Sequence, residues 1–255
     1  MDIFFSLLTP GLWLIALSIA VLGGFVKGVV GFAMPTVVIS GLSSFIAPEL
    51  ALAGLILPTL VTNGTQALRQ GIGPALAAAR RFWVYLSVGG VVLVASAQLV
   101  RVLPIGVMLG FIGFAVTFFT LVQLAGWGLR LAHQSPRVEA VIGVIAGVLG
   151  GLSGIWGPPT VMYLTALGTE KTEQMRVQGV IYGLGALALL GAHIGSGVLR
   201  AETLPLSLAL IAPALLGQWV GGKVLDRIDQ AAFKRATLLV LLIAGLNLIR
   251  RAVFA

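Results

Sequence analysis

Two stretches of the chain combine glycines with a Pro-Thr pair, and both predict backbone N–H groups that could bind a ligand. We call them the first break (28–36) and the second break (150–160). Proline is favourable at the first position of a helix, so a short helix is expected to begin at the proline of each pair. A helix N-terminus carries about half a positive charge and unpaired N–H donors. The breaks therefore predict an anion-binding site, to which the hydroxyls of Thr36 and Thr160 could add donors.

Polar residues outside the breaks suggest further contacts to the same ligand. Asn63 and Gln66 share one face of a predicted helix, and Gln178 precedes Tyr182 by one turn on another. Hydrogen bonding between helices is the alternative role for such residues. With Trp156 as a cavity wall, the expected substrate-binding residues are Lys27, Gly31, Phe32, Pro35, Thr36, Asn63, Gln66, Ser153, Gly154, Trp156, Gly157, Pro159, Thr160, Gln178 and Tyr182.

Lys27 is a basic residue inside a predicted apolar run, and two roles are open for it. It could attract the anion by its charge, or its side chain could snorkel to the headgroups at the membrane surface. With the helix N-termini as the main donors, we expect binding to survive Lys27→Ala with a moderate loss. Gly31→Val or Gly157→Val should abolish it, because a side chain would block the approach to the backbone.

The eight carboxylates of the sequence all lie at or beyond the ends of the predicted spans. Transporters coupled to protons or Na⁺ often keep an acidic residue inside the membrane, so this distribution argues against a cation substrate and an Asp or Glu proton relay. An anion that leaves a cell with a negative interior gains about 2.3 kcal/mol per charge per 100 mV. Export is therefore feasible without coupling, although coupling through His193 or through substrate protonation stays open.

The composition is that of an all-α polytopic membrane protein. Of the 255 residues, 58% are hydrophobic and 9% are charged, whereas soluble domains have about 25% charged residues. This length allows about eight to ten transmembrane segments. The net charge of +8 is scattered singly between apolar runs, which favours basic cytoplasmic loops over nucleic-acid binding. With no cysteine and two histidines, we expect neither a metal nor another cofactor.

The apolar runs predict eight spans and, after the breaks, two half-helices. The spans cover 11–31, 50–68, 82–99, 105–125, 138–152, 174–192, 204–222 and 236–253, and the half-helices cover 35–45 and 159–168. The glycines of the first break region recur in order in the second, which indicates a duplication. We predict repeat 1 over 1–125, a cytoplasmic linker over 126–137 and repeat 2 over 138–255.

The basic residues predict that the second repeat is inverted. If each break forms a re-entrant hairpin, eleven basic residues fall in inner loops and four lie outside; the inner loops are 69–81, 126–137, 169–176 and 223–235. Each repeat then has one broken hairpin plus three full spans, and both termini face outside. Corresponding breaks in inverted repeats are typical of a transport site near the membrane midplane.

A serine and a histidine suggest an alternative, enzymatic function. The motifs Gly-Leu-Ser-Gly at Ser153 and Ala-His-Ile-Gly at His193 look like those of rhomboid intramembrane serine proteases, in which a histidine activates the serine nucleophile. We expect Ser153 near the midplane and His193 at the outer face. This separation favours transport over proteolysis.

The glycine pattern resembles the TauE/SafE family of sulfite and sulfonate exporters. The resemblance rests on Gly24-x3-Gly28-x2-Gly31 before Pro35-Thr36, and on Gly143-x3-Gly147-x2-Gly150 before Pro158-Pro159-Thr160. It implies a permease of the bacterial inner membrane that exports sulfite or an organosulfonate. An anion channel of the same fold is a second alternative. The expected partners are the small anion and the lipid bilayer, without nucleic acid, and the oligomeric state stays open.

Overall fold

The computed structural model describes residues 8–97, 105–126, 130–153, 156–195 and 197–254, and within these ranges the chain forms helices and no strands. The helices are α1 (Pro10–Val30), α2 (Met34–Leu42), α3 (Pro48–Leu68), α4 (Ile72–Arg81), α5 (Trp83–Ala97), α6 (Ile105–Leu124), α7 (Pro136–Ser153), α8 (Gly157–Ala166), α9 (Lys171–Gly195), α10 (Leu204–Ala209), α11 (Ile211–Arg227) and α12 (Gln230–Val253). Every predicted span and half-helix overlaps at least one of these helices, so the all-α fold class is confirmed.

Several helical segments are long and apolar enough to cross a membrane. Among the described residues there are five, judged by length and composition: Pro10–Val30, Glu49–Leu68, Lys171–Gly195, Leu204–Arg227 and Gln230–Val253. A sixth is added if α4 and α5, which are bent by 75° at a short break, count as one span. The chain is a multi-pass membrane protein, while the count of eight to ten spans and the inverted repeats stay predictions.

Helix α4 lies within the segment 69–81, which the sequence assigns to an inner loop. The helix itself was not predicted, and the location of the segment on the inner side stays a prediction. The segment is rich in alanine, which has the highest helix propensity. Its proline, Pro74, lies in the first turn, where no backbone N–H is needed. The side chains of Ile72 and Leu76 are exposed. A short amphipathic helix of this kind has no long apolar run by which to recognise it.

The other predicted inner loops are also shorter than expected. Helix α9 begins at Lys171, and α7 begins at Pro136, inside the predicted linker 126–137. Only two residues separate Arg227 of α11 from Gln230 of α12. Charged residues continue these helices beyond their apolar runs, which is why hydropathy ended them too early.

The chain forms two compact units, and each takes segments from both predicted repeats. Unit 1 comprises Met1–Ala75 and Met175–Ile228, and unit 2 comprises Leu76–Gln174 and Asp229–Ala255. Unit 1 therefore contains α1, α2, α3, α10, α11 and most of α9. Unit 2 contains α5, α6, α7, α8, α12 and part of α4.

In unit 1, glycines let α1 and α11 approach each other closely. A Cβ atom on Gly24 would lie 2.1 Å from the carbonyl oxygen of Ala214, and one on Gly221 would lie 2.2 Å from that of Phe25. Gly28 is restricted in the same way by α11. Interfaces of small residues are typical of helices packed within membranes. The repeated glycines Gly24 and Gly28 therefore serve helix packing.

Unit 2 contains a similar interface between α5 and α7. Gly143 and Gly147 of α7 face Gly89 of α5, and a Cβ atom on Gly147 would lie 2.6 Å from the Gly89 carbonyl oxygen. The Ser96 hydroxyl also donates a hydrogen bond to the Gly147 carbonyl oxygen at 3.0 Å. The corresponding glycines of the second repeat thus also serve close helix contact.

Candidate functional site

The first break forms a tight connection between α1 and α2. Gly31 ends α1 with a φ of +86°, in the left-handed region, and its N–H donates to the Lys27 carbonyl oxygen at 2.7 Å. A Cβ atom on Gly31 would lie 1.8 Å from Gln178 Oε1, so only glycine fits. Helix α2 begins at Met34, one residue before the predicted start at Pro35, and is nine residues long. The predicted short helix after the first break is confirmed.

Ala33 connects the two helices in an unusual backbone conformation. Its φ is +70°, and among the described residues it alone has a positive φ without being glycine. A Cβ atom costs roughly 1–2 kcal/mol in this region. The side chains of Ala33 and Phe32 are both buried, so packing around the break holds Ala33 in this strained state.

Lys27 is buried within unit 1 and hydrogen-bonded there. The residue is 2% exposed, and its Nζ donates to Oδ1 of Asn63 on α3. No carboxylate among the described residues forms an ion pair with it. Snorkelling requires the ammonium to reach the membrane surface, so this arrangement excludes that role. The structure therefore places the Lys27 amine inside unit 1, against an amide of α3.

Gln66 forms hydrogen bonds to both the first break and α9. Its Nε2 donates to the Gly31 carbonyl oxygen at 3.1 Å and to the Met175 carbonyl oxygen at 2.8 Å. Its Oε1 is buried and meets no donor within the described part of the chain. Thr62, one turn earlier on α3, has its Oγ1 3.8 Å from Met34 Sδ at the start of α2. Helix α3 therefore contacts the first break at Gly31 and at Met34.

Gln178 and Tyr182 belong to the same region of unit 1. Both are buried on α9, and the contact of Gln178 with Gly31 places it directly against the break. Helix α9 can approach α3 because a glycine lies between them. A Cβ atom on Gly179 would lie 2.5 Å from the Ala67 backbone nitrogen.

The N-terminus of α2 presents backbone donors beside this cluster. The first hydrogen bond of the helix runs from the Val37 N–H to the Ala33 carbonyl oxygen at 3.0 Å. The N–H groups of Met34 and Thr36 precede it and have no intrahelical acceptor, while Pro35 has no N–H. In the part of the chain that the structure describes, no side chain caps this end of the helix.

The second break is described in part. Helix α7 ends at Ser153, whose side chain lies outside the described residues, as does all of Gly154. Helix α8 begins at Gly157, two residues before the predicted start at Pro159. Because Pro158 and Pro159 both lack an N–H, this N-terminus has fewer backbone donors than an ordinary helix.

Tyr85 is a residue of this region that the sequence analysis missed. Its hydroxyl lies 2.6 Å from Thr160 Oγ1, which also donates to the Trp156 carbonyl oxygen at 3.0 Å. Because a hydroxyl has one proton, Thr160 accepts from Tyr85, and in this state it cannot also donate to an anion. All three residues are buried. The signal in the sequence was a lone phenol in an apolar helix, which usually finds a polar partner.

The structure brings together the predicted residues of each unit. In unit 1 the contacts described above connect Lys27, Gly31, Asn63, Gln66 and Gln178. In unit 2 they connect Trp156 with Thr160. The unit 1 cluster combines a buried ammonium with amide groups and a nearby helix N-terminus. A protonated lysine and unpaired N–H groups at a helix N-terminus are donors of the kind that can bind an anion.

The chain matches the family described as "Sulfite exporter TauE/SafE" over residues 16–248. This range contains both breaks and every residue of the expected site. No curated protein and no solved structure matches the chain.

Proposed function

Because the chain belongs to the sulfite exporter TauE/SafE family, we propose that it transports sulfite or an organosulfonate across the membrane. Members of this family are membrane transporters of sulfite or related anions, so the protein is not an enzyme. The protease alternative built on Ser153 and His193 is therefore set aside. We further propose outward transport across a bacterial inner membrane, with the membrane potential favouring the exit of an anion.

The observation that carries the substrate proposal is the burial of Lys27 without a carboxylate partner among the residues that the structure describes. Removing an ammonium from water costs several kcal/mol even after relaxation. Asn63 Oδ1 supplies one hydrogen-bond acceptor, whereas an ammonium has three donors. A sulfite or sulfonate oxygen beside Lys27 would supply both an acceptor and the opposite charge. An occupied site would thereby offset the cost of the buried lysine.

The first break supports the same assignment. Thr62 contacts Met34 at the start of α2, and the next residue on α3, Asn63, binds Lys27. The start of α2, which carries the free N–H groups of Met34 and Thr36, and the Lys27 amine therefore contact neighbouring residues of α3. A sulfonate has three acceptor oxygens and one delocalised charge, which suits several donors of different kinds. We propose Phe32 and Pro35 as the apolar wall beside these donors.

We extend the proposal to the second break through the inverted repeat. The helix contacts of Gly24 and Gly28 with α11 in unit 1 correspond to those of Gly143 and Gly147 with α5 in unit 2. This correspondence supports a duplication. We propose that the duplicated chain has eight to ten spans and that 126–137 links the repeats. Ser153, Gly154, Trp156, Gly157, Pro159 and Thr160 would then repeat the role of the first break. With two prolines and an engaged Thr160 hydroxyl, we expect the second break to contribute less affinity.

Replacement of the buried lysine tests the proposed site. Lys27→Met keeps the length of the side chain and removes its charge, and it should weaken binding of sulfite and isethionate by about tenfold or more. This loss exceeds the moderate one expected from the sequence, because Lys27 is buried with one amide partner. Binding to the purified protein would be measured by calorimetry, with taurine, sulfate and chloride as comparison anions.

The matched control is Lys223→Met. Lys223 lies in the same unit, where its Nζ is 3.8 Å from the centre of the exposed Trp219 ring. It makes the same change in charge and should leave anion affinity unchanged. If folded Lys27→Met protein bound both anions as tightly as the parent, the assignment of Lys27 to the substrate site would be wrong.

A further inference from the structure

Unit 2 contains a pocket that none of the expected site residues lines. Its volume is about 420 Å³, within the roughly 300–1,000 Å³ typical of small-molecule sites. It lies between the C-terminal end of α8 with the turn that follows, the segment at Arg130, and the first two turns of α12. Four lining residues of α12 share one helix face at spacings of three and four: Gln230, Phe233, Lys234 and Thr237.

Hydrogen bonds across the pocket hold its walls together. Gln230 of α12 donates from Nε2 to the Thr169 carbonyl oxygen at 3.1 Å, and its Oε1 accepts from the Lys171 N–H at 2.8 Å. On the opposite side, the Leu131 N–H donates to the Ala166 carbonyl oxygen at 2.8 Å. These hydrogen bonds fix the positions of the segments that line the pocket.

The charged side chains that line the pocket are both basic. They are Arg130 and Lys234, and no carboxylate lies in the lining of described residues. Neither side chain has a hydrogen-bond or ion-pair partner in the part of the chain that the structure describes. Arg130 is exposed and Lys234 is partly exposed, so both cations are accessible to an anion that enters the pocket.

Two buried hydroxyls in the lining also need a partner. Thr165 is 9% exposed and Thr237 is 1% exposed, and the Oγ1 atom of each meets no hydrogen-bond partner among the described residues. An unpaired buried hydroxyl costs about 1–3 kcal/mol. Both oxygen atoms are covered in this conformation, but both residues line the pocket, so rotation of either side chain about χ1 would let its hydroxyl donate to a bound acceptor.

Carboxylates close to the pocket in sequence are engaged elsewhere. Burial opposes ionisation of Glu170, but hydrogen bonds from Thr172 and from the Glu173 N–H outweigh it and lower the pKa of the Glu170 carboxyl. Asp229 caps α12 by accepting from the Ala232 N–H at 2.7 Å. Neither carboxylate supplies the counter-charge that Arg130 and Lys234 lack.

We propose that this pocket is a second anion site, separate from the Lys27 cluster, which binds a small molecule through an oxyanion group. Arg130 and Lys234 neutralise the charge, and the Thr165 and Thr237 hydroxyls donate to its oxygens. Sulfonate and phosphate share this chemistry, so the ligand is either the transported class of anion or a phosphate-bearing solute. The proposal does not depend on the identity of the transported substrate.

Binding to the purified full-length protein in detergent tests the second site, with isethionate and inorganic phosphate as separate probes. We expect the combined variant Arg130→Gln, Lys234→Gln to lose the binding of one probe at the pocket, where its affinity should fall at least roughly tenfold. The charge-matched control is Arg137→Gln, Lys223→Gln, which changes two exposed basic residues outside the pocket. Its binding should equal that of the parent.

Separate variants distinguish this site from the proposed substrate site. Lys27→Met should leave the pocket's binding intact, and Thr237→Val, which keeps the shape of the side chain, should weaken it about threefold or more. Loss of isethionate binding in the pocket variant identifies a sulfonate site, and loss of phosphate binding identifies a phosphate site. Parent-like binding of both probes in the folded pocket variant overturns the proposal. Loss of all isethionate and phosphate binding in Lys27→Met would also overturn the proposal of a separate site.

Discussion

Ala33 has a left-handed backbone conformation, which glycine adopts without strain. The left-handed φ of +70° costs alanine roughly 1–2 kcal/mol, whereas glycine adds roughly 0.5–1 kcal/mol of unfolded-state entropy. Ala33→Gly should therefore stabilise the protein by about 0.5–1 kcal/mol. Thermal unfolding of the purified protein in detergent, followed by tryptophan fluorescence, would measure the difference.

The same substitution at a helical position provides the control. Ala20 is buried in α1, and glycine there should lower stability by about 1 kcal/mol. Opposite signs for Ala33→Gly and Ala20→Gly are expected. If Ala33→Gly lowered the unfolding temperature as much as Ala20→Gly does, the strain at the first break would not exist.

Individual residues differ in how far the sequence predicted their roles. The break at Gly31 was predictable, because glycine followed by Pro-Thr is a local signal. The depth of Lys27 was not, because it depends on a partner 36 residues away. The pairing of Tyr85 with Thr160 was likewise hidden, since their separation of 75 residues leaves no local pattern.

The glycines between α1 and α11 are needed for close helix packing, whereas some glycines elsewhere are not. Gly221→Ala would bring a methyl group within 2.2 Å of the Phe25 carbonyl oxygen, and overpacking of this kind costs about 1–3 kcal/mol. Gly191→Ala meets no atom within 4 Å and improves helix propensity by up to about 1 kcal/mol. We expect Gly221→Ala to lower the unfolding temperature and Gly191→Ala to maintain or raise it.

Equal unfolding temperatures for these two variants would show that α1 and α11 do not pack as described. The glycine motif predicted that helices would contact each other here, but not which helices. Continuous apolar runs predicted the long helices, because burial in lipid requires such runs. They missed α4, where alanine propensity and an amphipathic face replace a long apolar run.

The orientation of the whole molecule can be tested with cysteines, since the chain has none. From the distribution of basic residues we expect Arg80→Cys and Arg235→Cys to be labelled only from the cytoplasm. Phe254→Cys, near an exposed end of the chain, should be labelled from outside. A membrane-impermeant maleimide added to whole cells would measure this. Outside labelling at position 80 without labelling at 254 would reverse the proposed topology.

The organisation into two units was beyond the reach of sequence analysis. The repeat predicted a boundary at 126–137, yet each unit combines residues from both sides of it. Hydropathy and repeats report order along the chain, whereas the units depend on contacts between distant helices. The pocket of unit 2 is a further example. Arg130 and Lys234 both line it, although the sequence assigned them to two separate loops, 126–137 and 223–235.

The pairing of α1 with α11 also has a consequence for biosynthesis. Gly24 and Gly217 take part in the same interface, so α1 enters the membrane long before its partner has been made. At roughly 5–20 residues per second, the 192 intervening residues take about 10–40 s to translate. Asn63 is synthesised soon after Lys27 and can accept its hydrogen bond. The glycine face of α1, however, has no partner helix until α11 has been synthesised and inserted. We expect the insertion machinery or a chaperone to cover that face during this interval, which makes elongation rate a determinant of correct assembly.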